Sequence, residues 1–188
     1  MGRLPRLQVA GALYHVTCNG ARGLMIYLDD DDRRIWLDIL GIAVSRAGMI
    51  CHSYCEMGTH YHLLIETPEP NIAAAMQRLN WLYSRTFNKK HGTRGHLFED
   101  RYAAELIQSE THLLRTIRYI ARNPCEAGIC ESPLDWGWSS YRATVGLAEP
   151  PHFLSTAWVL AAIDDRPDVA RRQLRWIVEG VDPLRRAA

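Results

Sequence analysis

The 188-residue sequence has no apolar run long enough to cross a bilayer: each greasy stretch meets a charge within about ten residues, where a spanning helix needs about 20. Its first residues, MGRLPRLQVAG, lack the apolar core and small-residue cleavage site of an export signal. Five cysteines (18, 51, 55, 125 and 130) form an odd set without such a signal. That argues against a disulfide scaffold and predicts reduced thiols in a cytoplasmic protein. There is little net charge, +1 with the histidines neutral, so bulk electrostatics selects no partner. Internal repeats and low-complexity segments are absent too, which excludes solenoids. What remains is an ordinary globular composition, with length for one sizeable core and a small appendage.

The charge that is present is unevenly placed. Asp29 to Asp32 form an acidic run, whereas residues 78–122 hold nine Lys/Arg against four acids, with His91, His96 and His112 among them. Such a segment can follow a phosphate backbone, and it can equally be a solvated face.

Patterning along the chain predicts a sequence of alternating elements. GALYHVTCNG, bounded by Gly11 and Gly20, reads as a strand. DDDDRRIWLDILGIAVSRAG reads as a helix with acids at its start, a stripe of Ile35, Ile39, Ile42 and Val44, and Gly48 as its end. MICHSYCEM and HYHLLIET form a hairpin around Gly58-Thr59. Ile72, Met76, Leu79, Tyr83 and Phe87 mark an amphipathic helix. HLFEDRYAAELIQ is a strand with Phe98, Tyr102 and Leu106 on one face, and SETHLLRTIRYIARNP is a helix capped by Ser109 and stopped by Pro124. The order β-α-β-β-α-β-α predicts an α+β fold, a ferredoxin-like antiparallel sheet with helices packed on it. Two short helical patterns, 155–163 and 167–180, make a helical C-terminal tail. A weak boundary near GLAEPP divides 1–147 from 148–188, a tail too small to fold alone. Cys51 and Cys55 are spaced for one strand face as core thiols, and Trp136, Trp138 and Tyr141 are expected to pack the end of the domain.

Chemistry concentrates in EMGTHYHLLIET. His60 and His62, two apart on a strand, project from one face about 6–7 Å apart and can converge on one divalent ion, with Tyr61 on the other face. In a chain with eight histidines that pair alone is a weak signal. The helix 109–123 adds to it. At about 100° per residue Leu113, Leu114, Ile117, Ile120 and Ala121 form its apolar face, and Tyr119 falls nearly opposite, among His112, Arg115, Thr116, Arg122 and Asn123. Asn123 lies one turn beyond Tyr119, so both can reach one cleft. Two imidazoles, a phenol, an amide and arginines suit one reaction: attack of the phenol oxygen on a phosphodiester, with a metal withdrawing charge and arginines holding flanking phosphates. From the residues alone, an exposed aromatic on a solvated face stays open. His15 and Asn19 can face the same cleft, with a satisfied structural histidine the expected role for His15.

GALYHVTCNG, SYCEMGTHYHLLIETPEPN, GHLFEDRYAAELI, LLRTIRYIARNPCEAGI and WGWSSYRA together resemble, in order and spacing over about residues 3–145, the single-tyrosine transposases of the HUH nuclease superfamily. The branch most resembled is that of the REP-associated tyrosine transposases. The resemblance implies an HUH nuclease fold and a metal-binding motif at His60-Tyr61-His62. It also implies a nucleophilic tyrosine four positions before an Asn-Pro, here Tyr119, and a third metal ligand at Asn123. It implies a magnesium- or manganese-dependent endonuclease that cleaves and rejoins single-stranded DNA beside hairpins, leaving a 5′-phosphotyrosine. Here Gly-Thr stands before the first histidine in place of the family's usual Pro-Asn, which alters a turn and not the ligands. On this reading Arg85, Lys89, Lys90, Arg94 and Arg101, around the loop NKKHGTRGH, contact the hairpin's phosphates, with Arg115 and Arg122 beside Tyr119. The expected partner is single-stranded or hairpin DNA, with no membrane, for a monomer or homodimer. Two rival expectations share these residues: a hairpin-binding protein whose chemistry has lapsed, and a replication-initiator nuclease.

Overall fold

The computed structural model describes residues 8–180. Strands β1 (Ala12–Asn19), β2 (Ile50–Glu56), β3 (His60–Thr67) and β4 (Ala103–Leu106) form one sheet in the order β2-β3-β1-β4. Every neighbouring pair is antiparallel. Side chains alternate across a pleated strand, and β1 shows it plainly: Ala12, Tyr14, Val16 and Cys18 are buried, whereas Leu13, His15 and Thr17 are half-buried on the opposite face.

The first set joins Tyr61, Leu63 and Ile65 of β3 in a core closed by α1 (Asp30–Ala47) and α2 (Ile72–His91). On the other face Leu64 and Cys55 pack under α3 (Glu110–Glu126), α4 (Tyr141–Thr144), α5 (Thr156–Ala161) and α6 (Pro167–Glu179). The architecture is therefore helix–sheet–helix, with the ferredoxin-like strand order expected from the sequence.

Local chemistry sets the element ends. Asp29 caps α1 by accepting from Asp32 N–H, and Gly48 closes it at φ 62°, a conformation that glycine adopts without a Cβ clash. Ser109 caps α3 by accepting from His112 N–H at 3.1 Å. Pro124 does not stop α3, which runs on to Glu126. The carbonyls of Asn123 and Pro124 find acceptable donors in Ala127 N–H and Ile129 N–H, so one further turn closes despite the missing proline donor.

Three other expectations shift. The buried stripe of α1 is Trp36, Ile39, Leu40, Ala43 and Val44, while Ile35 is half-buried and Ile42 is 45% exposed, because the helix turns Trp36 into the aromatic core. The last strand is shorter than the apolar alternation suggested. Phe98 and Tyr102 are buried but precede β4, since the chain bends at Asp100–Arg101 after pairing Phe98 with Gly20. Cys51 and Cys55 lie on opposite faces of β2: a bulge between Cys51 and Ser53 adds a residue and inverts the alternation.

The segment after α3 is tied to the sheet. Trp136 donates through Nε1 to Glu56 O at 2.9 Å, and the Arg33 guanidinium stacks on Trp136 and Trp138. Ser155 N–H donates to Cys51 O, and α6 shares the core beneath α3 through Ala170, Leu174 and Val178. Among the described residues no helix is long and apolar enough to cross a membrane.

Candidate active site

The hairpin turn at Gly58-Thr59 places His60 and His62 at the start of β3, opposite Asn19 and Thr17 of β1. Both imidazoles face α3. The intervening Tyr61 faces the other way and donates its hydroxyl to Asn80 Oδ1 at 2.6 Å. The two rings meet edge to face with centroids 4.9 Å apart. His60 Nδ1 lies 3.1 Å from Thr59 Oγ1, and His62 Nδ1 lies 3.1 Å from His15 Nε2 of β1.

Helix α3 crosses above them. Its buried Leu113, Ile117 and Ile120 hold it on the sheet, which turns Tyr119 toward the histidines rather than into the core. The Tyr119 ring is 42% exposed, with its centroid 5.3 Å from that of His62 and 5.8 Å from that of His15, edge to face in both cases. One turn on, Asn123 is buried, and its amide lies against both His60 and His62, short of a well-formed hydrogen bond to His62 Nε2. The structure thus brings together His60, His62, Tyr119 and Asn123, all from one chain.

Burial dominates the electrostatics here. Desolvation, with smaller repulsion from His60 and His15, lowers the His62 pKa to about 3, against a small opposing effect of Asn123. His60 is lowered by burial, again opposed by Asn123. Burial also lowers His15, where the Glu105 carboxylate opposes it and His112 adds to it. All three imidazoles are neutral near pH 7, the state in which a ring nitrogen can donate a lone pair.

The cationic residues expected to meet DNA are distributed over both faces. Arg85 and Lys89 lie exposed on α2, on the face opposite the histidine pair, where Arg85 stacks over the exposed Trp81 ring at 5.5 Å. No acid occurs anywhere in α2. Lys90 is engaged: its ammonium donates to Asp29 Oδ1 at 2.6 Å and Asp32 Oδ1 at 2.9 Å. Arg94 is exposed in the loop after α2, Arg101 lies just before β4, and Arg115 is exposed on α3. Arg122 is half-buried, donating to Val178 O at 3.1 Å. Among the described residues one group of three His or acidic ligand atoms is close enough to share a cation, Asp29, Asp32 and His91. Lys90 already supplies the positive charge there.

The sequence profile of the family described as "Transposase IS200 like" matches residues 10–123, the span from β1 to Asn123. The chain belongs to the IS200-like transposase family. Among solved structures the transposase is similar to one described as a REP-associated tyrosine transposase bound to a REP hairpin. That likeness has a TM-score of 0.66 at 16% identity, over 82% of this chain and 92% of the other. No curated protein matches the sequence. The family match stops at Asn123, so the tail that packs beneath α3 lies outside it. Reading the sequence left His15 as a structural histidine. Its contact with His62 was hidden because the strands that carry them lie far apart along the chain, and only the sheet register unites them.

Proposed function

We propose that this transposase nicks and rejoins single-stranded DNA beside hairpins, with Tyr119 as the nucleophile and a divalent metal, magnesium or manganese, held by His60, His62 and Asn123. One observation carries the reading: the Tyr119 ring packs on His62, whose Nε2 is buried with no hydrogen-bond partner among the described residues. A buried polar atom without a partner is costly, and a neutral imidazole lone pair is what a divalent cation requires. Two imidazoles and an amide oxygen fit such an ion. When bound, the metal would polarise a non-bridging phosphate oxygen.

The chain's own groups perform the rest. The phenol oxygen of Tyr119 attacks phosphorus, releasing its proton to solvent at its exposed edge. The P–O3′ bond breaks, the 3′ oxygen takes up a proton, and the 5′ phosphate stays on the tyrosine. Because a phosphoester replaces a phosphoester, the reverse attack by a 3′ hydroxyl reseals a strand without an external energy source. Arg115, exposed on the same helix, is suited to a flanking phosphate. Arg85, Lys89 and Arg94 offer charges for the duplex backbone of a hairpin, with Lys90, Arg101 and Arg122 as further contacts. The solved structure with a REP hairpin supports hairpin DNA as the substrate class.

The test is covalent capture. With manganese and a labelled hairpin oligonucleotide carrying a single-stranded flank, the parent protein should yield an SDS-resistant adduct. Tyr119→Phe should yield none while binding the oligonucleotide as before; an adduct on that variant would end the proposal.

A further inference from the structure

His62 has two ring nitrogens, and the fold treats them differently. Nδ1 meets His15 Nε2 at 3.1 Å, whereas Nε2 is buried beside His60 and Asn123 with no well-formed hydrogen bond among the described residues. A neutral imidazole carries one proton, so the hydrogen bond to His15 decides which nitrogen keeps the lone pair.

We propose that His15 is a positioning residue that fixes the tautomer and orientation of His62, accepting a hydrogen bond from His62 Nδ1–H so that the Nε2 lone pair faces the cation site. This rests on the reading that His60, His62 and Asn123 hold a divalent ion. The geometry agrees from two directions. The His15 and His62 rings are nearly coplanar, 22° apart with centroids at 5.3 Å, as an in-plane N–H···N contact at 3.1 Å requires, so neither can swing without losing that contact. His15 must then carry its own proton on Nδ1. Glu105, its register partner on β4, sets a negative charge near the ring. The opposite tautomer would put the proton on Nε2, where a cation needs the lone pair. His15 also packs edge-on against Tyr119, so the same ring limits where the phenol can rest.

Two variants separate positioning from packing. His15→Phe keeps a flat ring at that position and removes the acceptor; His15→Gln loses the ring and restores an acceptor oxygen at similar reach. Binding of manganese alone to the DNA-free full chain, by calorimetry, should weaken about 10- to 100-fold in His15→Phe, the usual effect of losing a partner behind a metal ligand, and recover most of that in His15→Gln. Imidazole nitrogen NMR of the metal-free parent should find the His62 proton on Nδ1. A proton on Nε2 in the parent would overturn the inference whether or not either variant folds. So would parent-like affinity in folded His15→Phe, or equal loss in both folded variants. A parent that binds no manganese would overturn the metal-site reading itself, and this inference with it.

Discussion

Glu56 closes β2 with its carboxylate fully buried, and neither oxygen has a hydrogen-bond partner among the described residues. Arg33 lies near but gives its Nη1 donors to the backbone carbonyls of Glu56 and Met57. Burial therefore drives the Glu56 pKa well above the usual carboxylate range, with Arg33 opposing it only in part. The sign follows from linkage: a raised carboxyl pKa costs nothing below the unfolded value near 4.5, and stability falls as pH rises above it, because only the unfolded chain ionises freely. Glu56→Gln should match the parent at pH 4 and exceed it at pH 7 by on the order of 1–3 kcal/mol. Urea denaturation across that range measures the difference; equal stability at pH 7 would mean the carboxylate is ionised and paired. His62 contributes in the opposite sense. Its lowered pKa leaves stability intact above pH 6.5 and removes it progressively on acidification toward about pH 3.

At the scale of elements, the tyrosine helix is held from both sides. Beneath it lies the sheet, and along its flank Arg118 Nε and Arg122 Nη1 donate to the carbonyls of Ile177 and Val178 at 3.1 Å each. Those carbonyls end α6, where a helix presents unpaired acceptors and the negative end of its dipole. Tyr141 donates to Glu179 Oε1, which Arg175 also grips. Leu174 is the fully buried knob of that contact. Leu174→Ala should cost about 2–5 kcal/mol of unfolding free energy. If α6 steadies α3, the variant should also lose covalent capture at temperatures well below its midpoint. Thermal melts alongside the capture assay distinguish a weakened clasp from simple unfolding.

At the scale of the molecule, the histidine pair and Tyr119 come from one chain and meet within it. If these residues form the site proposed above, it is completed in cis and needs no exchange of helices between copies. A mixture of Tyr119→Phe and His62→Ala proteins should therefore stay inactive in covalent capture; restored activity would place the phenol in a neighbour's site. The charge layout gives a second expectation. With a net charge of only +1, affinity for DNA must come from local cations. Arg85→Ala and Lys89→Ala should each reduce the slope of log affinity against log salt by about 0.7–0.9. Lys90→Ala should change it less, because the ammonium is already neutralised by Asp29 and Asp32. Electrophoretic titration of a hairpin oligonucleotide at several salt concentrations reads these slopes.

The sequence by itself determined the element order, the apolar face of α2 from Ile72 to Phe87, the cap at Ser109 and the common face of His60 and His62. These follow from spacing within a few residues, where helix and strand periods leave little freedom. It also singled out Tyr119 and Asn123, because a tyrosine set opposite the apolar stripe, among polar residues, is not core filling and has Asn123 one turn away. The tertiary structure alone decided what touches what across the chain. The β2 bulge sent Cys51 and Cys55 to opposite faces, Pro124 was absorbed within α3, and the register of β1 against β3 set His15 behind His62. Each of these depends on partners supplied from distant segments, and local periodicity carries no information about a partner that has not yet arrived.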